Sequence, residues 1–274
     1  MKKLILQGEG NSIFGKDSNA YHEGRPNYPS RIYTLLREYN NGRPFNNAFE
    51  VGPGTGQATE NLLKMGLSVT AVESDSKLSD DLTRRLCELY PERLKVINLK
   101  FEESLLASEY FDLGIAATSW HWIDQLSGTL EAFRIIKPGG CFAIWWTVFQ
   151  DRWKKDDFYQ KTEHLFRCLS FTPSYQGRDI TPFGLQKTAR TEALVRAGFV
   201  DVINEVVDWH TEMSASQTKA LISTFSPVLK LEEKERVSLL DEIERIVNIE
   251  FGGKVTRYFS SVIYLGRKPD NFIF

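Results

Sequence analysis

The sequence predicts a three-layer α/β fold, built as a single domain over residues 1–274 around a seven-stranded, mostly parallel sheet. Two observations near the start carry this. Asn47 to Val51 reads as a short buried strand, and Gln57 to Met65 reads as a helix. Ala58, Leu62 and Met65 fall on one helical face, and Gly66 is placed to stop the helix. Then Val69-Thr70-Ala71-Val72 forms a second strand that ends on an acid, Glu73.

The turn between the first strand and its helix is Glu50-Val51-Gly52-Pro53-Gly54-Thr55-Gly56. Glycine reaches positive φ at little cost, and without Cβ it lets a ligand lie on bare backbone. The helix start adds unpaired N–H groups and a partial positive charge. A dinucleotide fingerprint would need G-x-G-x-x-G, and a Walker loop would end in Gly-Lys-Ser/Thr; Gly54-Thr55-Gly56-Gln57 is neither. Glu50 at the strand tip suits a ligand with an ammonium group and would repel a pyrophosphate. An acid at the tip of the second strand, here Glu73, can accept both hydroxyls of a ribose. The plain alternative is a glycine-rich surface turn beside a solvated glutamate.

The E-x-G-x-G-x-G string resembles the first motif of class I S-adenosylmethionine-dependent methyltransferases. That resemblance implies the strand order 3-2-1-4-5-7-6 with the last strand antiparallel, and S-adenosyl-L-methionine as cofactor. It makes Glu50, Gly52, Gly54, Gly56 and Glu73 cofactor-binding candidates. Residues 41–148 are then the cofactor-binding core. Residues 1–40 form an arm and helix over the cofactor, and residues 149–184 and 211–254 are helical insertions that cover the substrate.

Composition bounds the alternatives. Hydrophobic content of 42% and charged content of 26% are ordinary for a globular chain with a full core. A formal net charge of −2 gives no reason to expect a polyanionic partner, so no nucleic acid is expected. The apolar run after Met1-Lys2-Lys3 breaks at Gln7, too early for a signal peptide, and no later run is long enough to cross a bilayer. Cys87, Cys141 and Cys168 are too scattered for a disulfide framework or a metal site, which points to the cytoplasm.

Taken in order, residues 7–20 are polar and glycine-bearing and read as a mobile arm. Tyr21-His22-Glu23-Gly24-Arg25-Pro26-Asn27-Tyr28-Pro29 leads into a helix from Ser30 to about Glu38. The Y-x-x-x-R-P-x-Y-P string is similar to the leader of the trans-aconitate methyltransferase-like group, which carries a type 11 methyltransferase domain. That similarity places Tyr21 and Arg25 near the methionine end of the cofactor, where an arginine can hold its carboxylate. Turn chemistry alone also accounts for the prolines, with Tyr21 and Tyr28 as packing aromatics.

Leu78, Leu82, Leu86 and Leu89 mark the next helix, closed by Pro91, and Leu94 to Leu99 is the third strand. Lys100-Phe101-Glu102-Glu103 follows where the family carries an acid beside the adenine; Glu102 is the candidate, backbone groups the alternative. Tyr110 to Ala117 is the buried fourth strand. It opens into Thr118-Ser119-Trp120-His121-Trp122, beyond the carboxyl ends of the strands, where ligands lie in such sheets. Trp120 or Trp122 could cover the adenine or the sulfonium. His121 is the candidate base, or it fixes the loop by a hydrogen bond. The Asn/Asp-Pro-Pro-aromatic tetrad of many base-modifying methyltransferases is missing here.

Leu126, Leu130, Phe133 and Ile136 give another helix, and the Lys137-Pro138-Gly139-Gly140 turn leads into a fifth strand, Cys141 to Val148. Asp151 to Ser170 reads as one amphipathic helix, followed by a turn-rich stretch with Tyr175 and Arg178 as substrate-binding candidates. Lys187 and Arg190 are further cations that could meet an acidic substrate, although charged residues are mostly exposed. A helix ends at Gly198, Asp201 to His210 is the sixth strand, and residues 214–250 are helical. Arg257 to Gly266 is the last strand. The expected activity is methyl transfer to a small-molecule acceptor, a carboxylate or a hydroxyl. A nucleic-acid methyltransferase, an NAD-dependent oxidoreductase and a non-catalytic cofactor-binding module are the rivals.

Overall fold

A computed structural model describes residues 4–9, 13–149, 156–175 and 180–270. Seven strands form one sheet: β1 (Asn47–Val51), β2 (Ser68–Val72), β3 (Leu94–Ile97), β4 (Phe111–Ala117), β5 (Ile136–Val148), β6 (Val200–Ser214) and β7 (Lys254–Arg267). Their order is β3-β2-β1-β4-β5-β7-β6, as the resemblance implied. β7 runs antiparallel to both β5 and β6, and the other pairings are parallel.

Period-2 alternation splits the strands between two cores. Ala48 of β1 and Cys141, Ala143 and Trp145 of β5 face one side. There they meet α2 (Ser30–Tyr39), α3 (Gln57–Lys64) and α4 (Ser76–Leu82) through Leu36, Leu62 and Leu82. Phe49 and Phe142, Ile144 and Trp146 face the other side. They meet α5 (Gln125–Ile135) and α7 (Lys187–Arg196) through Ala132, Phe133 and Leu194. Helices on both faces bury both surfaces, which is why the parallel strands read as continuous apolar runs.

Several local expectations change. The arm is ordered where it is described: 3-10 turns at Gln7–Glu9 and Phe14–Asp17 lead into α1 (Ser18–Gly24), with Ile5 and Ile13 buried. The Leu78–Leu89 helix is α4 followed by a π-helical turn, Thr83–Cys87. Lys137-Pro138-Gly139-Gly140 lies inside β5 as an irregularity, with Gly139 at φ +74°. The single helix over Asp151 to Ser170 is shorter: α6 spans Asp157–Thr162, capped by Asp156, and a 3-10 turn follows at Glu163–Phe166.

β6 and β7 continue past the end of β5 as a two-stranded ribbon, which pairs Thr211 with Arg257 and Ser214 with Lys254. The ribbon carries α8 (Ala215–Ser223), α9 (Ser226–Leu229) and α10 (Glu233–Glu250). Phe158, Leu169, Ile222, Val228, Ile243, Val247 and Val255 form a separate apolar cluster that joins both insertions into one cover. Among the described residues no helix is long and apolar enough to cross a membrane.

Gly114 in β4 sits between two buried rings. A Cβ there would lie 2.2 Å from Phe49 and 2.9 Å from Phe142. Gly114→Ala is expected to destabilise the fold by about 1–3 kcal/mol through overpacking. A urea midpoint equal to that of the native protein would show that the rings can give way.

Candidate active site

A cavity of about 930 Å³ lies beyond the carboxyl ends of β1, β2, β4 and β5, at the upper end of the size that holds a small ligand. Its floor is the turn between β1 and α3. Gly52 (φ +63°) and Gly54 (φ +60°) line it. A Cβ at Gly54 would press on the Tyr21 ring at 3.4 Å. Gly56 (φ +94°) does not line the cavity. A Cβ there would meet Leu82 at 2.6 Å and Leu86 at 2.9 Å. Its bareness lets α4 and the π turn pack against the start of α3, a packing role beside the expected ligand role.

Two buried carboxylates stand at the strand tips. The Thr59 hydroxyl donates to Glu50 Oε2 at 2.6 Å, while Glu50 Oε1 has no partner. Burial, aided by nearby Glu73 and opposed by the Thr59 bond, pushes Glu50 up to about 8. Glu73 Oε2 accepts from the Gly54 N–H at 3.0 Å, and Oε1 accepts from the Asp75 N–H at 2.9 Å. Burial still pushes Glu73 up to about 7 against those bonds. Each of its oxygens keeps a lone pair for another donor.

The arm closes one wall. The Gly15 N–H donates to Asp75 at 2.9 Å, which ties the arm to the end of β2. Phe14 meets Tyr21 edge-on at 5.8 Å and Trp122 at 5.7 Å. The Arg25 guanidinium lies 5.2 Å from the Tyr21 ring and 4.9 Å from the Phe149 ring, and it donates to the Thr224 carbonyl at 3.1 Å. Its Nε has no acceptor. Tyr21 and Arg25 both line the cavity, as does Tyr28, whose hydroxyl donates to Thr118 Oγ1 at 3.0 Å. Thr118 holds φ +58°, unusual for a β-branched residue.

The loop after β4 divides its aromatics. Trp122 lines the cavity. Trp120 is 1% exposed, packs on Phe142 at 4.9 Å, and is absent from the lining. Its candidacy is withdrawn, because a 3-10 turn over Trp120–Trp122 points the two indoles different ways. His121 is buried in the lining, and its Nδ1 accepts from Trp146 Nε1 at 3.0 Å. That bond fixes the neutral tautomer with its proton on Nε2. Burial, with Arg25 nearby, drops its pKa to about 3. The ring is therefore a hydrogen-bond donor and not a base. This corrects the first of its two expected roles.

Glu102 is exposed at the rim, in the lining beside Phe101. Lys100 pairs with Glu103 at 3.4 Å. Tyr175 lines the opposite rim, in a turn closed by the Thr172 N–H bond to its carbonyl at 2.9 Å. Arg178 lies outside the described residues. Lys187 and Arg190 are not in the lining; the Arg190 guanidinium stacks 3.5 Å over the Phe183 ring and donates to Gln125. The sequence reading missed Arg257, a buried cation on the cavity wall. Its signal was a charge at the same pleat register as Val255 and Phe259.

Comparisons with known proteins decide what such a site belongs to. Residues 49–144 match the family described as methyltransferase domain. The chain is an S-adenosylmethionine-dependent methyltransferase. It is 25% identical over 236 residues to an uncharacterized methyltransferase of Mycobacterium tuberculosis, covering 85% of each chain. An uncharacterized methyltransferase of Schizosaccharomyces pombe is 23% identical over 238 residues, covering 85% of this chain and 88% of its own. Phosphoethanolamine N-methyltransferase 2 of Haemonchus contortus, solved with S-adenosyl-L-methionine, superposes with a TM-score of 0.55 at 14% identity. The match covers 93% of this methyltransferase but only 57% of that longer protein. The [4+2]-cyclase SpnF superposes at 0.58 with 14% identity, covering 98% of this chain and 99% of its own. At such identities the likeness is one of fold.

The buried Glu50 makes stability depend on pH. Its proton is held more tightly in the folded chain than in the unfolded one, so stability falls as pH rises from about 4.5 to about 8. Glu50→Gln is expected to flatten that decline and to overtake the ligand-free native protein in melting temperature by pH 8.5. Parallel melting curves from pH 5.5 to 8.5 would refute the assignment.

Proposed function

We propose that this methyltransferase acts on a small-molecule acceptor whose receiving group is a carboxylate or a hydroxyl, as in the trans-aconitate methyltransferase-like group. The observation that supports the cofactor part of this reading is the unpartnered Glu50 Oε1 beside the bare Gly52–Gly54 backbone, with the Glu73 carboxylate next to it; the acceptor class rests on the resemblance. A cationic ligand suits that corner, because it would repay the cost of an ionised, half-bonded carboxylate.

In this reading Glu50 holds the methionine ammonium and Arg25 its carboxylate. Glu73 accepts from the ribose hydroxyls. Glu102 and the adjoining backbone meet the adenine, and Tyr21 and Trp122 lie over the cofactor. When bound, S-adenosylmethionine supplies a methyl group already made electrophilic by its sulfonium. The chain's own work is then to align the acceptor with that methyl and to exclude water. Such positioning is worth roughly 7–11 kcal/mol in favourable cases. His121, with Nδ1 engaged by Trp146, fixes the loop and offers an Nε2–H donor. A carboxylate acceptor needs no base, which agrees with the lack of one at this position. The net charge of −2 supports a small metabolite over a nucleic acid, and the cytoplasm is the proposed setting.

Calorimetry with S-adenosylhomocysteine tests the cofactor roles. We expect micromolar binding that is lost in Gly54→Val and weakened at least tenfold in Glu73→Ala. Affinity for the ammonium-bearing cofactor should rise from pH 6 to pH 8 as Glu50 ionises, with a proton released on binding. Equal affinity for all three proteins, or no pH dependence, would remove these assignments.

A further inference from the structure

The cover over the cavity holds a cation that the cofactor reading leaves unused. Arg257 sits on the β6–β7 ribbon and is 4% exposed. Its guanidinium stacks over the Phe158 ring at 4.2 Å and donates through Nη2 to the Phe149 carbonyl at 3.3 Å. Nε and Nη1 are buried and have no acceptor. Arginine carries five N–H donors in a planar fork, and leaving them buried and unmet is costly. Asp156 lies 3.9 Å from Nε, beyond hydrogen-bond reach. One Asp156 oxygen caps α6 through the Tyr159 N–H, and the other has no partner. Among the described residues, two N–H donors at this wall are therefore left without an acceptor, while Asp156 offsets the charge from 3.9 Å.

The surroundings narrow the ligand. Phe149, Phe158, Phe166, Leu169, Ile222 and Phe225 line the same part of the cavity, and Thr162 is buried among them. An apolar body fits between these side chains and a polar one would lose its hydration there. Asp156 offsets the Arg257 charge and would repel a dianion, so a single carboxylate is recognised here through the two open N–H donors of the fork and not through surplus charge. Arg25 lies against the Phe149 ring, whereas Arg257 bonds to the Phe149 carbonyl.

We propose that Arg257 is the anchor for the methyl acceptor, and that the acceptor is a hydrophobic monocarboxylate, an alkyl or aryl acid whose apolar body lies among the phenylalanines of the cover. This rests on the methyltransferase reading for the word acceptor, but not for the binding itself. The carboxylate takes the free Nε–H and Nη1–H, and Phe158 holds the guanidinium flat to receive it.

The test compares decanoate and phenylacetate with their uncharged amides by calorimetry, on native protein with and without saturating S-adenosylhomocysteine. The acids are expected to bind at least tenfold more tightly than the amides. Arg257→Gln should erase that preference, while S-adenosylhomocysteine affinity stays within twofold. Arg257→Lys, which keeps the charge without the fork, should recover only part of it and serves if the glutamine variant does not fold. Equal binding of acid and amide, no binding of either acid at millimolar concentration, or an undiminished preference in the variants would overturn the proposal. Failure of S-adenosylhomocysteine to bind the native protein would instead strike the cofactor reading, and the acid–amide comparison without it would still stand.

Discussion

The Glu73 carboxylate receives the N–H of Gly54 with one oxygen and that of Asp75 with the other. The first bond ties the tip of β2 to the turn after β1, and the second fixes the chain just past β2. Asp75, held in place, caps α4 and receives the arm through Gly15. Glu50 is confined behind the same turn, with only Thr59 to satisfy one of its oxygens. A buried acid that is incompletely bonded is an expensive arrangement, and it persists where the surrounding fold over-determines it.

Charge is distributed accordingly. The acids Glu50 and Glu73 gather at the strand tips, and the guanidiniums of Arg25 and Arg257 gather at the cover. Aromatic rings hold both cations: Tyr21 and Phe149 flank Arg25, and Phe158 faces Arg257. Burial favours the protonated form of Glu50, so the floor gains its full charge only when a cationic ligand arrives.

Much of this was legible from residue pattern alone. The βα unit, the acid at each strand tip and the glycine turn are local features, and local features are what periodicity and turn chemistry report. The roles of Trp120 and Trp122 were not separable, since a 3-10 turn sends neighbouring side chains to opposite sides and leaves no trace in spacing. The packing role of Gly56 was hidden for a related reason: the atoms that forbid a side chain there, on Leu82 and Leu86, come from the following helix. His121 needed Trp146, from β5, before its tautomer had any meaning. The insertions were visible as helical, but their convergence into one cluster depends on the ribbon of β6 and β7, which no local pattern encodes.

Gly24 at the end of α1 touches the backbone of α8 directly, with space for a Cβ taken by the Ala220 carbonyl at 2.4 Å. One step further on, Arg25 bonds to the Thr224 carbonyl. The first helix and the eighth are thereby clasped, although about two hundred residues of chain separate them. A side chain at position 24 would have to part the arm from the cover.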